Sequence, residues 1–328
     1  MVFWKIYPLL NVIQTKLNRN TFKPQIFDRE LIKSPTGLDA IIIRHNHNSH
    51  LVLEIRQFIK NNFGSPPKTP ILDIPERQLL GANDHIVIVR DINGDIAGCI
   101  RYHYLGVFIS SKPIQEIYCV DCFTVYKTWR QKGIGDYLLT FLHNYVNENN
   151  IPYSMFLKEG RNLSIVHIPL YTGIYVFREL QLSKSKNIID LTPAQAYKLM
   201  DIISELNQML IIRNIKSTNQ YWKLYEKGTY KVLACFQDAY QKFMENGQLK
   251  RICWATGWIE SPNMTDEYRE EASRELSDSM YTLFDYVWMN KRWIGNVSNG
   301  WKIDGPFHWY SYQWTSSINI NNSYCILN

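Results

Sequence analysis

The most restrictive feature of this sequence is a basic, glycine-containing loop that follows three strands and precedes a helix. The segment 85–105 alternates apolar runs around Asn93-Gly94, which predicts a hairpin, and 113–126 (PIQEIYCVDCFTVY) predicts a long strand. The loop RQKGIG at 130–135 then leads into 134–150 (IGDYLLTFLHNYVNENN), where the apolar residues have helical spacing. Antiparallel hairpins before the loop exclude a Rossmann β-α-β start, and the loop lacks the Gly-Lys-Ser/Thr of a Walker A motif.

The same order of elements occurs twice along the chain. In the first half a short strand at 40–45 and a helix at 50–64 precede the hairpin, and a strand at 151–160 follows the helix. In the second half we predict a helix at 191–210, two strands within 231–260 turning near Asn246-Gly247, a helix at 267–291 and an aromatic strand at 307–314. The sequence therefore predicts two related α+β halves that meet near residues 180–190.

Charge and length limit the classes of function. The chain has 328 residues, a net charge of +6 and a pI of about 8.8, and Lys and Arg never form a run of five. This mildly basic balance is typical of a protein that binds an anionic small molecule, and it argues against nucleic-acid binding. The start, MVFWKIYPLLNVIQTK, is interrupted by Lys5, Pro8 and Asn11, so we expect neither a signal peptide nor a membrane span there.

Cysteine placement indicates free thiols. Cys119 and Cys122 form a CxxC, but they fall within a predicted strand, where residues three apart face opposite ways, so we expect no metal between them. There is no second CxxC. Free thiols are typical of a reducing compartment, and we therefore expect a cytoplasmic protein without a metal.

The loop itself has the chemistry of a pyrophosphate cradle. A helix N-terminus offers unpaired backbone N–H groups and the positive end of the helix dipole. Gly133 and Gly135 remove side chains that would block a close approach, while Arg130 and Lys132 add positive charge. The alternative is a loop whose glycines only turn the chain.

Four segments in the same order resemble the eukaryotic N-myristoyltransferases, which are tandem GNAT-fold acyltransferases. VDCFTVYKTWRQKGIGDYLL resembles the coenzyme-binding strand and loop of that family. FWKIYP near the start, SPTGLDA at 34–40 and FHWYSYQW at 307–314 resemble its entry arm, its Pro-x-Gly segment and its C-terminal aromatic strand. The resemblance implies two GNAT-like halves, each a mostly antiparallel twisted sheet flanked by helices and related by pseudo-two-fold symmetry. We place an N-terminal arm at 1–39, an acyl-CoA-binding half at 40–185 and a second half with the C-terminal tail at 186–328.

The resemblance also assigns a co-substrate, myristoyl-CoA, with no permanently bound cofactor. It implies the following acyl-CoA-binding residues: Phe3, Trp4, Val125, Arg130, Gln131, Lys132, Gly133, Ile134 and Gly135.

The catalytic roles implied by the resemblance fall on two places. The backbone N–H groups of Cys122 and Phe123 would polarise the thioester carbonyl, a task that needs no particular side chain. The C-terminal carboxylate of Asn328 would act as the base that deprotonates the acceptor amine, with the apolar run at 324–327 anchoring it; burial raises the pKa of a carboxylate and so suits this role. A frayed tail is the alternative.

Departures from the family concern the acceptor side. The segment 61–70 (NNFGSPPKTP) has none of the acidic residues that receive a basic residue of the peptide, and GRNLSIVHIPLYTGIY lacks the family's peptide-contacting pattern. His167 has two alternative roles: a residue near the acceptor, or a structural histidine. We expect a monomeric acyltransferase that moves a long acyl chain from CoA to an N-terminal glycine amine. Another GNAT-type transfer, such as acetylation, and an inactive binding protein with the same fold are the alternatives.

Overall fold

A single mixed sheet of fifteen strands dominates the structure, which is a computed structural model. The described residues are 23–24, 38–45, 48–63, 71–108, 114–163, 169–204, 212–296, 300–315 and 324–325. Helices pack on the sheet, and antiparallel pairs outnumber parallel ones among its strands.

The first half of the chain supplies eight strands and three helices. In chain order they are β1 (Lys23–Pro24), β2 (Asp39–Ile43), α1 (Ser49–Asn62), β3 (Ile71–Leu72), α2 (Glu76–Leu79), β4 (His85–Arg90), β5 (Ile96–Phe108), β6 (Gln115–Val125), α3 (Ile134–Glu148), β7 (Ser154–Glu159) and β8 (Tyr171–Glu179).

The second half repeats this order. Its elements are β9 (Ile188–Leu191), α4 (Pro193–Ser204), β10 (Ile212–Arg213), β11 (Tyr221–Lys227), β12 (Tyr230–Glu245), β13 (Gln248–Glu260), α5 (Asp266–Asp278), β14 (Tyr286–Asn290), β15 (Lys302–Tyr312), β16 (Trp314–Thr315) and β17 (Tyr324–Cys325).

The two halves are related by pseudo-two-fold symmetry and exchange a strand. The sheet runs β2-β4-β5-β6-β7-β15-β8-β14-β13-β12-β11-β9. Read from either end, this order gives equivalent strands, with the parallel pair β6–β7 matching the parallel pair β13–β14. The two central strands are exchanged, because β15 of the second half pairs with β7 and β8 of the first half pairs with β14. The α+β prediction with two related halves is confirmed; the proposed boundaries at 39 and 185 remain a prediction.

Apolar packing holds the start of helix α3 against the sheet. Helix α3 buries Ile134 and Leu138, and a Cβ at Gly98 of β5 would lie 3.0 Å from both side chains. Glycine at this position therefore allows the start of α3 to pack closely on the sheet. This packing fixes the helix N-terminus beside the end of β6.

The second half corrects one prediction and adds elements that were not predicted. We predicted one helix over 267–291, but α5 ends at Asp278 and 286–290 forms β14. The sequence YVWMN is buried on both faces between β8 and β13, where β-branched and aromatic side chains pack well, so tertiary pairing determines its conformation. Strands β8 and β11 were not predicted either.

Candidate active site

Strands β6 and β7 separate soon after they meet. Their parallel pairing includes only Tyr118 with Ser154 and Cys119 with Met155. Beyond Cys119, no described strand pairs with this edge of β6. Residues 120–123 of that edge line a cleft of about 1450 Å³. The backbone groups on this open edge are therefore available to a ligand that lies alongside the strand.

A β-bulge interrupts β6 at this open edge. Asp121 pairs with Arg101 and Thr124 pairs with Cys99, so Cys122 and Phe123 together lie opposite one residue of β5. Cys122 has a φ of +50°, and its carbonyl accepts a hydrogen bond of 3.0 Å from the Thr124 hydroxyl. A bulge turns backbone groups away from the regular ladder. The bulge therefore lies at the two residues, Cys122 and Phe123, whose N–H groups the resemblance assigns to the carbonyl oxygen.

A single turn at Lys127–Trp129 separates β6 from the glycine loop 130–135, and the last two residues of the loop are the first two residues of α3. Gly133 is the N-cap, with a φ of +81°, and no side chain caps the helix. A Cβ at Gly133 would meet no atom within 4 Å, so the space before the helix is open. The first turn of α3 therefore presents uncapped N–H groups toward this space, and the helix dipole favours an anion there.

Positive side chains border that helix N-terminus. Arg130 donates two hydrogen bonds, 3.1 Å to the Val125 carbonyl and 3.4 Å to the Asn62 carbonyl, which leaves other guanidinium N–H groups for a ligand. The ammonium of Lys132 lies 4.9 Å from the centre of the Trp129 ring. Gln131, with a φ of +64°, and the exposed Gly133 complete the turn.

The loop and the bulge are in direct contact. A Cβ at Gly135 would lie 3.1 Å from the Phe123 ring, so this glycine provides room for that side chain. The structure therefore places Val125 and the residues 130–135 beside the bulge, while of these residues only Cys122 and Phe123 line the cleft. Phe3, Trp4, His167 and Asn328 lie outside the described residues.

One ion pair and one histidine–carboxylate hydrogen bond, neither of them predicted from the sequence, form part of the wall of the cleft. The Arg101 guanidinium binds both carboxylate oxygens of Asp121, with 2.7 Å between Nε and Oδ1, and also donates to the Gln78 carbonyl. The imidazole Nδ1 of His103 lies 3.0 Å from Oδ1 of Asp84, which is 4% exposed. All four of these side chains line the cleft.

The cysteines of the site are not suited to be nucleophiles. Burial raises the pKa of the Cys122 and Cys119 thiols well above the usual value, and it raises the pKa of Cys99 to about 12. The reactive form of a cysteine is the thiolate. The cysteines whose side chains are described, at 99, 119, 122, 235 and 253, are all free thiols, as predicted. Among the described residues, no group of His, Cys, Asp and Glu could hold a metal ion.

The second half contains an equivalent gap that the chain itself fills. Strands β13 and β14 pair only between Ile252 and Trp254 on the β13 side, as β6 and β7 do over a short stretch. Beyond that point β17 pairs with β13, with Cys325 opposite Gly257 and Tyr324 opposite Trp258. Residues 324–325 are therefore part of the sheet at the position equivalent to the open edge of β6.

Comparison with known proteins shows the fold. No family model and no curated protein matches the sequence. Among solved structures, Saccharomyces cerevisiae N-myristoyltransferase with bound myristoyl-CoA matches with a TM-score of 0.68 and 11% identity over 97% of this chain and 93% of that one. A second structure of the yeast enzyme gives 0.70 and 11% over 97% and 89%.

A more distant match is a GCN5-related glucosamine N-acetyltransferase region of a fungal multi-domain protein, with a TM-score of 0.51, 8% identity and coverage of 85% and 38%. The chain therefore has the N-myristoyltransferase-like fold, which confirms the resemblance stated above, and this is an acyltransferase fold. No described helix is long and apolar enough to cross a membrane.

Proposed function

We propose that this protein is an acyl-CoA-dependent N-acyltransferase that moves a long acyl chain, such as myristoyl, to the N-terminal glycine amine of a protein. The observation that carries the proposal is the open, bulged edge of β6 next to the uncapped N-terminus of α3. A thioester chain lying along that edge would place its carbonyl at the 122–123 bulge. Its pyrophosphate would then lie at the residues 130–135.

The mechanism uses backbone groups to stabilise charge. Attack of a neutral amine on the thioester carbon places negative charge on the carbonyl oxygen, and the N–H groups at 122–123 would bind that oxygen. A single preorganised donor of this kind typically contributes 10² to 10³ in kcat. The C–S bond then breaks, and CoA leaves as a thiolate that takes up a proton. The resemblance assigns the base to the Asn328 carboxylate, which lies outside the described residues.

The long-chain preference follows from apolar burial. Each buried CH₂ group contributes about 0.8 kcal/mol, so ten additional groups would favour myristoyl-CoA over acetyl-CoA by several kcal/mol even after losses. The yeast N-myristoyltransferase structures of similar fold hold myristoyl-CoA, which supports this choice.

The proposal is tested by following CoA release from myristoyl-CoA and from acetyl-CoA with peptides that begin with glycine. We expect release with myristoyl-CoA that depends on a free N-terminal amine, and mass spectrometry should show the acylated peptide. The same peptide with an acetylated N-terminus is the matched control. Equal rates with the two acyl-CoAs would contradict the long-chain assignment, and no product from either would contradict the transferase assignment.

A further inference from the structure

The cleft contains a histidine held by a buried carboxylate. His103 lies on β5 with its side chain 17% exposed, and its Nδ1 is 3.0 Å from Asp84. Among the described residues, none forms a hydrogen bond with Nε2 of His103. This arrangement places the proton on Nδ1, where it is donated to the carboxylate, and leaves Nε2 as an acceptor facing the cleft.

Asp84 is itself fixed by the backbone. Its Oδ1 accepts a hydrogen bond of 2.8 Å from the Tyr104 N–H, and its Oδ2 accepts one of 2.8 Å from the Gly81 N–H. Burial would raise the pKa of this carboxyl, yet His103, Arg101 and the Tyr104 N–H hold it well below its usual range. An ionised carboxylate held in this way orients the imidazole, which is a role of the orienting acid in hydrolase triads.

The position of His103 along the sheet matches the open edge of β6. His103 pairs across the strands with Cys119, the last β6 residue that β7 covers. The bulge at Cys122 lies three residues further along β6, or about 10 Å at the usual rise per residue. His103, Cys122 and Phe123 line the same cleft, so an acceptor amine and a bridging water molecule can lie between the imidazole and the bulge.

From this placement we infer that His103, positioned by Asp84, is the general base that takes the proton from the acceptor amine. The inference rests on the proposed acyl transfer and does not require the Asn328 carboxylate. Nε2 of His103 removes one proton from the ammonium, the amine nitrogen forms a bond to the thioester carbon, and the C–S bond breaks. The second amine proton goes to the CoA thiolate, and His103 releases its proton to water. The products are an amide, a CoA thiol and one proton.

The charged surroundings of His103 come from several elements. Ionisable side chains from several elements line the same cleft, among them Arg77 and Asp84 before β4, Arg101 on β5, Asp121 on β6, and Lys158 and Glu159 on β7. The Arg101 charge is neutralised by Asp121 in a direct ion pair, and Asp84 is the group in contact with the imidazole.

The test measures the rate of acyl transfer and acyl-CoA affinity in the full chain. His103→Asn is the main variant, because an amide N–H can replace the Nδ1–H that binds Asp84 while the base is lost. His45→Gln is the matched control, a histidine of the same cleft that is exposed. We expect kcat for myristoyl-CoA with a glycine peptide to fall by about 10² to 10⁴ in His103→Asn and to stay within twofold in His45→Gln. Calorimetry should give an unchanged affinity for myristoyl-CoA in both.

Chemical rescue separates catalysis from structure. Imidazole added to His103→Ala should restore part of the rate, which a purely structural histidine would not allow. The inference is overturned if His103→Asn, with an unchanged melting temperature, keeps its kcat within threefold, or if imidazole restores nothing to a folded His103→Ala. If the wild-type protein itself forms no acylated peptide, the proposed function fails, and the role of His103 fails with it.

Discussion

Asp136 directly follows the glycine loop 130–135 and places a negative charge beside the proposed anion site. It lies in the first turn of α3 and is exposed, next to the space that we assign to the pyrophosphate. A carboxylate there stabilises the helix N-terminus, but it repels a bound phosphate. The same charge therefore has opposite effects on the free protein and on the complex.

We predict that Asp136→Asn binds CoA more tightly than the wild-type protein. Two like charges about 6 Å apart in water repel by about 0.7 kcal/mol, which corresponds to roughly threefold in affinity. Titration calorimetry at low salt measures this, and the difference should shrink as salt is added. An unchanged or weaker affinity in Asp136→Asn would show that the phosphates lie elsewhere.

Single residues also show where prediction from sequence stops. Strand β4 pairs with β5 so that His85 lies opposite Tyr102. Extending this register by one residue places Asp84 opposite His103. Pairing residues outward from the turn at Asn93-Gly94 does not predict this contact, because a register shift between Val89 and Arg90 displaces every pair beyond it by one residue. The chemistry of the glycine loop, by contrast, is visible in the sequence because all its parts are contiguous.

At the scale of elements, Asp73 links α1 to β12 and so connects the two halves of the chain. Its carboxylate lies 2.7 Å from Nη2 of Arg56 and 3.1 Å from Nζ of Lys242. Burial would raise the pKa of Asp73, but these hydrogen bonds and charges lower it to about 2. The neighbouring β3 also pairs with β12.

We therefore predict that Asp73 contributes stability that is lost in acid. An unfolded aspartate has a pKa of about 3.9, so between pH 4 and pH 2 the unfolded chain binds the proton first and stability falls with pH. Because Arg56 and Lys242 are partly exposed, the contribution is on the order of 1 kcal/mol. Urea unfolding of wild type and Asp73→Asn at pH 6 and pH 3 should show a difference that narrows at pH 3. A difference that is independent of pH would rule out this ion-pair role.

Element prediction succeeded where the signals were local. The hairpin turns, the glycine loop and the helices α1 and α3 follow from periodicity and turn residues, and the structure confirms them. Strand β14 was wrongly predicted as helix because YVWMN carries no strand alternation when it is buried on both faces. Its conformation depends on β8 and β13, which are distant in sequence.

The whole molecule is held together by the exchange of β8 and β15. Because β15 lies between β7 and β8, the first half of the chain completes its sheet with a strand from the second half. We predict that residues 1–185 expressed alone do not fold, whereas the full chain unfolds in one cooperative transition. Circular dichroism and dispersion of amide proton signals by NMR test this. A folded fragment would show that the boundary at 185 separates independent domains.

The most direct test of the proposed function is the affinity of the protein for myristoyl-CoA, measured by titration calorimetry, because we place the coenzyme phosphates at residues 130–135. Lys132→Glu reverses a charge at the loop, and Lys184→Glu makes the same change at an exposed site between β8 and β9, outside the loop. We expect wild type and Lys184→Glu to bind with equal affinity and Lys132→Glu to bind at least tenfold more weakly, with unchanged melting temperatures. No binding by the wild-type protein, or equal affinity in all three proteins, would contradict the account.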